Sequence, residues 1–119
     1  KALSRHMFED KSGVIVDVVT PAHVRVPADV FTYAVMTATP DTTLGVEIPF
    51  ATPMALFAIK LCRGRIKDQA HLIWMMRHGF HPRKDQLSAV GVPGEKIELL
   101  KALRRALQQE LKDEKEMGW

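Results

Sequence analysis

Residues 52–68, with the sequence TPMALFAIKLCRGRIKD, contain the clearest boundary in the chain and predict the start of a helical region. The hydroxyl of Thr52 can cap a helix, and Pro53 suits the first helical turn, where the missing N–H costs no hydrogen bond. The apolar side chains that follow predict a helix that packs on a sheet, with Lys60 on the same helix. Gly64 is expected to interrupt the helix.

Three further helices are predicted downstream of Gly64. The first runs from Arg65 to His78 and ends at Gly79, a short one lies between Pro82 and Val90, and the last runs from Pro93-Gly94 to about Glu116. The first is expected to turn one apolar face to the core, formed by Ile66, Ala70, Ile73 and Trp74 and widened by Leu72, Met75 and Met76. The last is expected to bury a stripe of Ile97, Leu100, Leu103, Leu107 and Leu111.

The segment before residue 52 has the pattern of strands. Val14 to Val19 is β-branched and apolar apart from Asp17, which predicts a buried central strand. A short extended piece is predicted at 23–26, a short helix at 29–38, a turn at 40–43 and a half-buried strand at 44–50, where Pro49 indicates an edge. The first residues resemble the end of a helix, so that upstream sequence is expected.

Together these patterns predict an α+β fold, with a small mixed sheet of about three strands packed against four to five helices. The 119 residues suit a single domain, 1–119, that is strand-rich over 13–50 and helical over 52–117. A hydrophobic content of 46% and a charged content of 26% exclude a disordered chain. The absence of long apolar runs predicts no membrane association, and one cysteine, Cys62, predicts a reducing, cytoplasmic location.

The positive charge is concentrated in one segment. Residues 60–84 contain seven bases and one acid, a net +6, whereas the whole chain carries +3. Such a segment favours an anionic partner such as a phosphate or a nucleic acid, and the simpler alternative is a solvated helix face.

Two groups of residues are candidates for chemistry. Asp17 is an acid in an apolar strand, either a metal-binding carboxylate or a residue hydrogen-bonded at the sheet end. Lys60, Arg65, Lys67 and Asp68 surround the start of the second helix, where they suit phosphate binding. The alternative for Asp68 is a first-turn acid that pairs with Arg65 or Lys60.

Residues 14–79 resemble the C-terminal part of a nucleotidyltransferase-superfamily domain of the minimal, abortive-infection (AbiEii-like) type from bacterial toxin–antitoxin systems. That family has a strand ending in vDvv and a helix reading s-p-e-x-L-x-x-x-K-L-x-A-x-R-x-K-D-x-x-D, where this chain has ATPMALFAIKLCRGRIKDQAHL. The matches are Thr52-Pro53, Lys60-Leu61, Arg65, Lys67 and Asp68. The resemblance implies that Asp17 is the third carboxylate for magnesium and a catalytic residue. It also implies that Lys60, Arg65 and Lys67 contact the NTP triphosphate or the acceptor, while Asp68 orients Lys60 or Arg65.

Two departures from that family affect the expected function. The second acid of the helix motif is replaced by His71, and neither Gly-Ser nor Asp-x-Asp occurs in the chain. A complete enzyme of this family transfers a nucleoside monophosphate from an NTP to a hydroxyl of RNA, protein or a small molecule. Without the missing carboxylates the chain is either a fragment of such an enzyme, which the sequence favours, or an inactive half-domain.

The alternative function is a non-catalytic module that binds nucleic acid or an acidic partner protein through residues 60–84. A homo-oligomer formed through a sheet edge is a further expectation. Metal binding by His71, His78 and His81 and a nucleophilic role for Cys62 are both disfavoured.

Overall fold

Five helices and four short strands follow one another in the residues that the computed structural model describes, which are 7–9, 15–17, 26–42, 45 and 48–118. At 7–9, 15–17 and 48 only the backbone is described. In chain order the elements are β1 (Met7–Glu9), β2 (Ile15–Asp17), α1 (Ala28–Thr37), β3 (Thr39–Asp41), β4 (Ile48–Phe50), α2 (Pro53–Arg63), α3 (Ile66–Arg77), α4 (Lys84–Val90) and α5 (Gly94–Glu116).

Helix α2 is the central element of the core. It begins as predicted, because the Ala55 N–H donates to the Thr52 hydroxyl oxygen at 3.2 Å and Pro53 occupies the first turn. From Phe57 to Cys62 every residue except Lys60 is buried. Helices α1, α3, α4 and α5 all pack against α2. The helix therefore packs mainly against other helices, rather than against the sheet that its apolar face predicted.

Most helix boundaries agree with the sequence. Helix α1 confirms the prediction at 29–38 to within one residue at each end, and α5 begins at Gly94 and ends at Glu116 as expected. The α5 stripe is buried at Ile97, Leu100, Leu103 and Leu107, but Leu111 is 45% exposed. Its partner α3 ends at Arg77, whose guanidinium contacts Glu110 and Glu114 at 3.6 Å and 2.7 Å. Beyond Leu107 the described residues of α5 lie mostly in solvent.

The predicted inner face of α3 is confirmed at Leu72 and Met76 but is wrong at Ile66, Ala70 and Trp74. Ile66 is 87% exposed and Trp74 is 60% exposed, and Ala70 also faces solvent. The fully buried side chains are those of Asp68, Leu72 and Met76, which recur every four residues, and Ile73 and Met75 are partly buried. The helix is rotated so that an acid in its first turn, rather than its most apolar stripe, faces the core.

The prediction of one mixed sheet of about three strands is also wrong for the described residues. β1 pairs with β2 in an antiparallel ladder, with Met7 opposite Asp17, and β3 pairs with β4 in a second one. In the second ladder Pro40 lies opposite Pro49, and neither residue has an N–H to offer a third strand. The edge character predicted from Pro49 is confirmed, whereas the turn predicted at 40–43 is a strand at Pro40 and Asp41.

Other strand predictions fall partly outside the described residues. Of the strand predicted at 14–19, residues 15–17 are a strand and the remainder lies outside the description, as does most of the piece predicted at 23–26. The helix end expected at the start of the chain falls on residues 1–6, which lie outside the described residues, and the strand β1 follows at Met7–Glu9. Within the described residues, no helix is both long enough and apolar enough to cross a membrane.

Gly91 gives a direct test of how α4 packs against α1. Its φ is +113°, and a Cβ added there would lie 2.7 Å from the Asp29 Cβ. Replacing Gly91 by Ala should lower the free energy of unfolding by about 2–4 kcal/mol, since backbone strain and overpacking add. Urea denaturation of the variant measures this loss.

Gly94→Ala is the matched control, because Gly94 starts α5 with a helical backbone and open space around its Cα. Alanine is the better helix former, so this variant should be as stable as the parent or up to about 1 kcal/mol more stable. Equal losses for both variants would contradict the close approach of α4 to α1.

Candidate functional site

The junction between α2 and α3 brings together the four residues that the sequence selected downstream of Phe50. Gly64 ends α2 in a left-handed conformation, with φ +63°, and donates its N–H to the Lys60 carbonyl. The chain then enters α3 at once, so that the last turn of α2 and the first turn of α3 lie side by side. Lys60 comes from the former, and Arg65, Lys67 and Asp68 come from the latter.

Asp68 is the buried centre of this cluster, since its side chain is only 1% exposed. Its Oδ2 accepts hydrogen bonds from Arg65 Nε at 2.8 Å and from the Arg65 backbone N–H at 3.3 Å. Its Oδ1 is 3.9 Å from Lys60 Nζ and has no hydrogen-bond partner. The carboxylate thus accepts hydrogen bonds from Arg65 and attracts the charge of Lys60 without a hydrogen bond.

The environment of Asp68 favours its charged form. Burial alone would raise the pKa of this carboxyl, but the hydrogen bond and the charge of Arg65 outweigh that effect. Arg63 and Lys60 add smaller attractions, and the pKa of Asp68 lies below its ordinary value. The side chain is therefore an anion at neutral pH.

Lys60 meets His71 as well as Asp68. Its Nζ lies 2.8 Å from His71 Nδ1, one helical turn beyond Asp68. An ammonium can only donate, so Nδ1 is the unprotonated ring nitrogen and Nε2 carries the hydrogen. A neutral imidazole adds no negative charge beside Lys60, so Asp68, at 3.9 Å, is the acid that acts on Lys60 among the described residues.

The pKa values of these two groups shift in the same direction. Burial lowers the pKa of Lys60; Asp68 raises it, while Lys67, Arg63 and Arg65 lower it again. Burial also lowers the pKa of His71, and the charge of Lys60 adds to that effect. At neutral pH the imidazole is uncharged and able to accept a proton.

The wider basic stretch does not form one continuous surface. Arg77 pairs with Glu110 and Glu114 of α5, and Arg83 pairs with Asp85 at 3.1 Å. By contrast, Arg63, Arg65 and Lys67 lie close enough to Lys60 to lower its pKa, and Asp68 is the acid that raises it, so bases outnumber acids among the described residues of the α2–α3 junction. Folding concentrates the excess charge at the α2–α3 junction.

The metal prediction at Asp17 stays a prediction. Asp17 is the last residue of β2, but its side chain is not among the described ones, so no distance to Lys60 or Asp68 follows. Among the described residues, no group of three or more His, Cys, Asp or Glu side chains could hold a metal ion.

Cys62 is buried, whereas Trp74 lies at the surface. Burial raises the pKa of the Cys62 thiol to about 11, which agrees with the prediction that it is not a nucleophile.

Trp74, expected in the core, stacks on His78 with 4.2 Å between ring centroids, and the His78 ring also contacts the Trp74 carbonyl at 2.8 Å. The apolar spacing of α3 alone predicted that Trp74 is buried.

Comparison with known proteins does not add to this description: no family model, curated protein or solved structure matches the chain.

Asp68 can be tested by its contribution to stability. Asp68→Asn keeps the shape of the side chain but removes its charge, and at pH 7 should lower the free energy of unfolding by about 1–3 kcal/mol. Because its folded pKa is depressed, the ionised carboxylate stabilises the fold above its unfolded pKa. That contribution disappears as the pH falls through the folded pKa, so the difference between variant and parent should shrink below about pH 4.

Denaturation curves at pH 7 and in the acid range measure both effects. Asp85→Asn is the control, since the Arg83–Asp85 pair is exposed and its loss should change stability little. If the difference in the free energy of unfolding between Asp68→Asn and the parent stays constant down to the most acidic pH, the charge of Asp68 does not stabilise the fold.

Proposed function

We propose that the α2–α3 junction is the phosphate-binding site of a nucleotidyltransferase-like domain, in which Lys60, Arg65 and Lys67 contact the triphosphate of an NTP. The observation that carries the proposal is the burial of Asp68 between Arg65 and Lys60, with the bases Arg63 and Lys67 near Lys60. The resemblance of residues 52–68 to the helix motif of that superfamily supports the same assignment.

Asp68 suits a positioning role in such a site. A buried carboxylate that accepts two hydrogen bonds from Arg65 restricts the guanidinium before a ligand arrives, which reduces the entropy lost on binding. Arg65 remains 47% exposed and Lys60 19% exposed, so both cations are held at a surface that a ligand can reach. The start of α3, a helix of 12 residues, adds a favourable dipole for an anion.

In a complete enzyme this site would hold the donor nucleotide while its α-phosphate is transferred to a hydroxyl. A cationic clamp on the β- and γ-phosphates orients the NTP and stabilises the charge that develops on the leaving pyrophosphate. Magnesium, when bound, would supply further charge stabilisation, and the resemblance assigns Asp17 to it. The described residues do not form a magnesium site, so the part proposed for them is nucleotide binding.

Binding of ATP by the chain tests the proposal. Isothermal titration calorimetry with and without magnesium should show binding that Lys60→Ala or Arg65→Ala weakens about 10- to 100-fold, the range for a charged hydrogen bond. Lys112→Ala is the matched control, because Lys112 is exposed on the last turns of α5. Absence of binding in both buffers, or equal weakening by the control, would contradict the proposed site.

A non-catalytic module that binds nucleic acid is the second candidate, and one observation favours it. Trp74 is 60% exposed on the same helix as Lys67 and about two turns further along, which gives an exposed aromatic ring on a helix that begins at the basic cluster. The pairing of Arg77 and Arg83 with acids counts against a long basic track. RNA and DNA affinity that falls steeply with salt and depends on Trp74 would favour this function over nucleotide binding.

A further inference from the structure

The amine of Lys60 has a setting unlike that of an ordinary phosphate-binding lysine. Phosphate is usually met by a fully protonated, solvated ammonium that acts as a point charge. Here only 19% of the side chain is exposed, and the amine lies between an imidazole nitrogen at 2.8 Å and a carboxylate oxygen at 3.9 Å. A nucleophile with an adjacent base within hydrogen-bond distance is the arrangement of an activated amine.

We propose that Lys60 is a nucleophilic lysine that forms an imine with the aldehyde or ketone of a phosphate-bearing compound, with His71 as its base. Arg65 and Lys67 would hold the phosphate of that compound, and this half of the inference rests on the proposed function. The class of ligand is a small phosphorylated carbonyl compound.

The geometry accounts for each proton in the reaction. His71 Nδ1 takes a proton from the Lys60 ammonium, and the freed lone pair forms a C–N bond while the carbonyl π electrons move to oxygen. A proton passes from nitrogen to that oxygen to give the carbinolamine. Protonated His71 then returns its proton to the hydroxyl, the C–O bond breaks, water leaves, and the protonated imine remains on Lys60.

The charged groups around the amine favour this chemistry. Arg63 from α2 and Arg65 and Lys67 from α3 disfavour a second positive charge at Lys60, and burial does so more strongly. Asp68 opposes them but makes no hydrogen bond to Nζ, so it does not hold the amine in the ammonium form as a close ion pair would. The lowered pKa of Lys60 is the net result.

Reductive labelling of the whole chain tests the inference. Pyridoxal phosphate and pyridoxal, each followed by borohydride, convert an imine into a stable amine whose position is found by peptide mass spectrometry. Lys60 should be labelled about 10-fold faster than the exposed Lys67 and Lys84 by both aldehydes, as expected for an amine with a general base beside it. Pyridoxal phosphate should react faster than pyridoxal, and ATP should protect Lys60.

Two variants separate reactivity from folding. His71→Asn keeps an acceptor near Lys60 but removes the base, and since His71 is exposed the variant should retain the parent circular dichroism spectrum. Its Lys60 labelling rate should fall to about the rate of Lys67, because proton transfer to the imidazole is lost. Lys112→Arg, an exposed position on the last turns of α5, is the control, and it should leave labelling of Lys60 by pyridoxal unchanged.

The outcomes distinguish this inference from the proposed function. Labelling of Lys60 no faster than that of Lys67 by pyridoxal, or an unchanged rate in His71→Asn, would overturn the nucleophilic role even if pyridoxal phosphate and ATP still bound. Fast pyridoxal labelling without any gain from the phosphate would support the reactive amine and overturn the phosphate-bearing ligand class.

Discussion

Burial of helix α2 is the constraint on which the remainder of this structure depends. Its residues from Phe57 to Cys62 are enclosed by four other helices, and Lys60 is the one exception in that run. A lysine on such a helix can reach solvent only at the edge of the contact with α3. Its amine is therefore partly desolvated and lies close to Asp68 and His71, which come from the first two turns of α3.

The rotation of α3 follows from the same contact. With Asp68 inward, the residues four and eight positions later, Leu72 and Met76, are inward too, and Ile66 and Trp74 are carried to the surface. A buried carboxylate costs free energy unless cations and hydrogen bonds compensate it, and Arg65 and Lys60 supply that compensation. The rotation exposes Trp74 and holds a charged cluster at one point on the surface.

The function proposed here depends on how folding redistributes charge. In the sequence the basic residues of 60–84 form one block, but the helices carry Arg77 to the acids of α5 and leave Arg83 beside Asp85. What remains is a local excess at the start of α3. A compact cationic cluster with a buried acid suits a phosphate group better than it suits an extended polyanion, and His71 adds a base that a simple phosphate clamp does not need.

The sequence by itself determined the helices, because capping residues, glycines and apolar spacing act within a few residues of one another. Thr52-Pro53, Gly64, Gly79 and Pro93-Gly94 mark boundaries that the structure confirms, and the sequence also selected Lys60, Arg65, Lys67 and Asp68 as one group. Tertiary structure alone decided which face of α3 is buried, where Leu111 leaves the core and that His71 meets Lys60. These depend on the free energy of contacts between helices, in which the compensation of one buried charge outweighed the periodicity of apolar side chains.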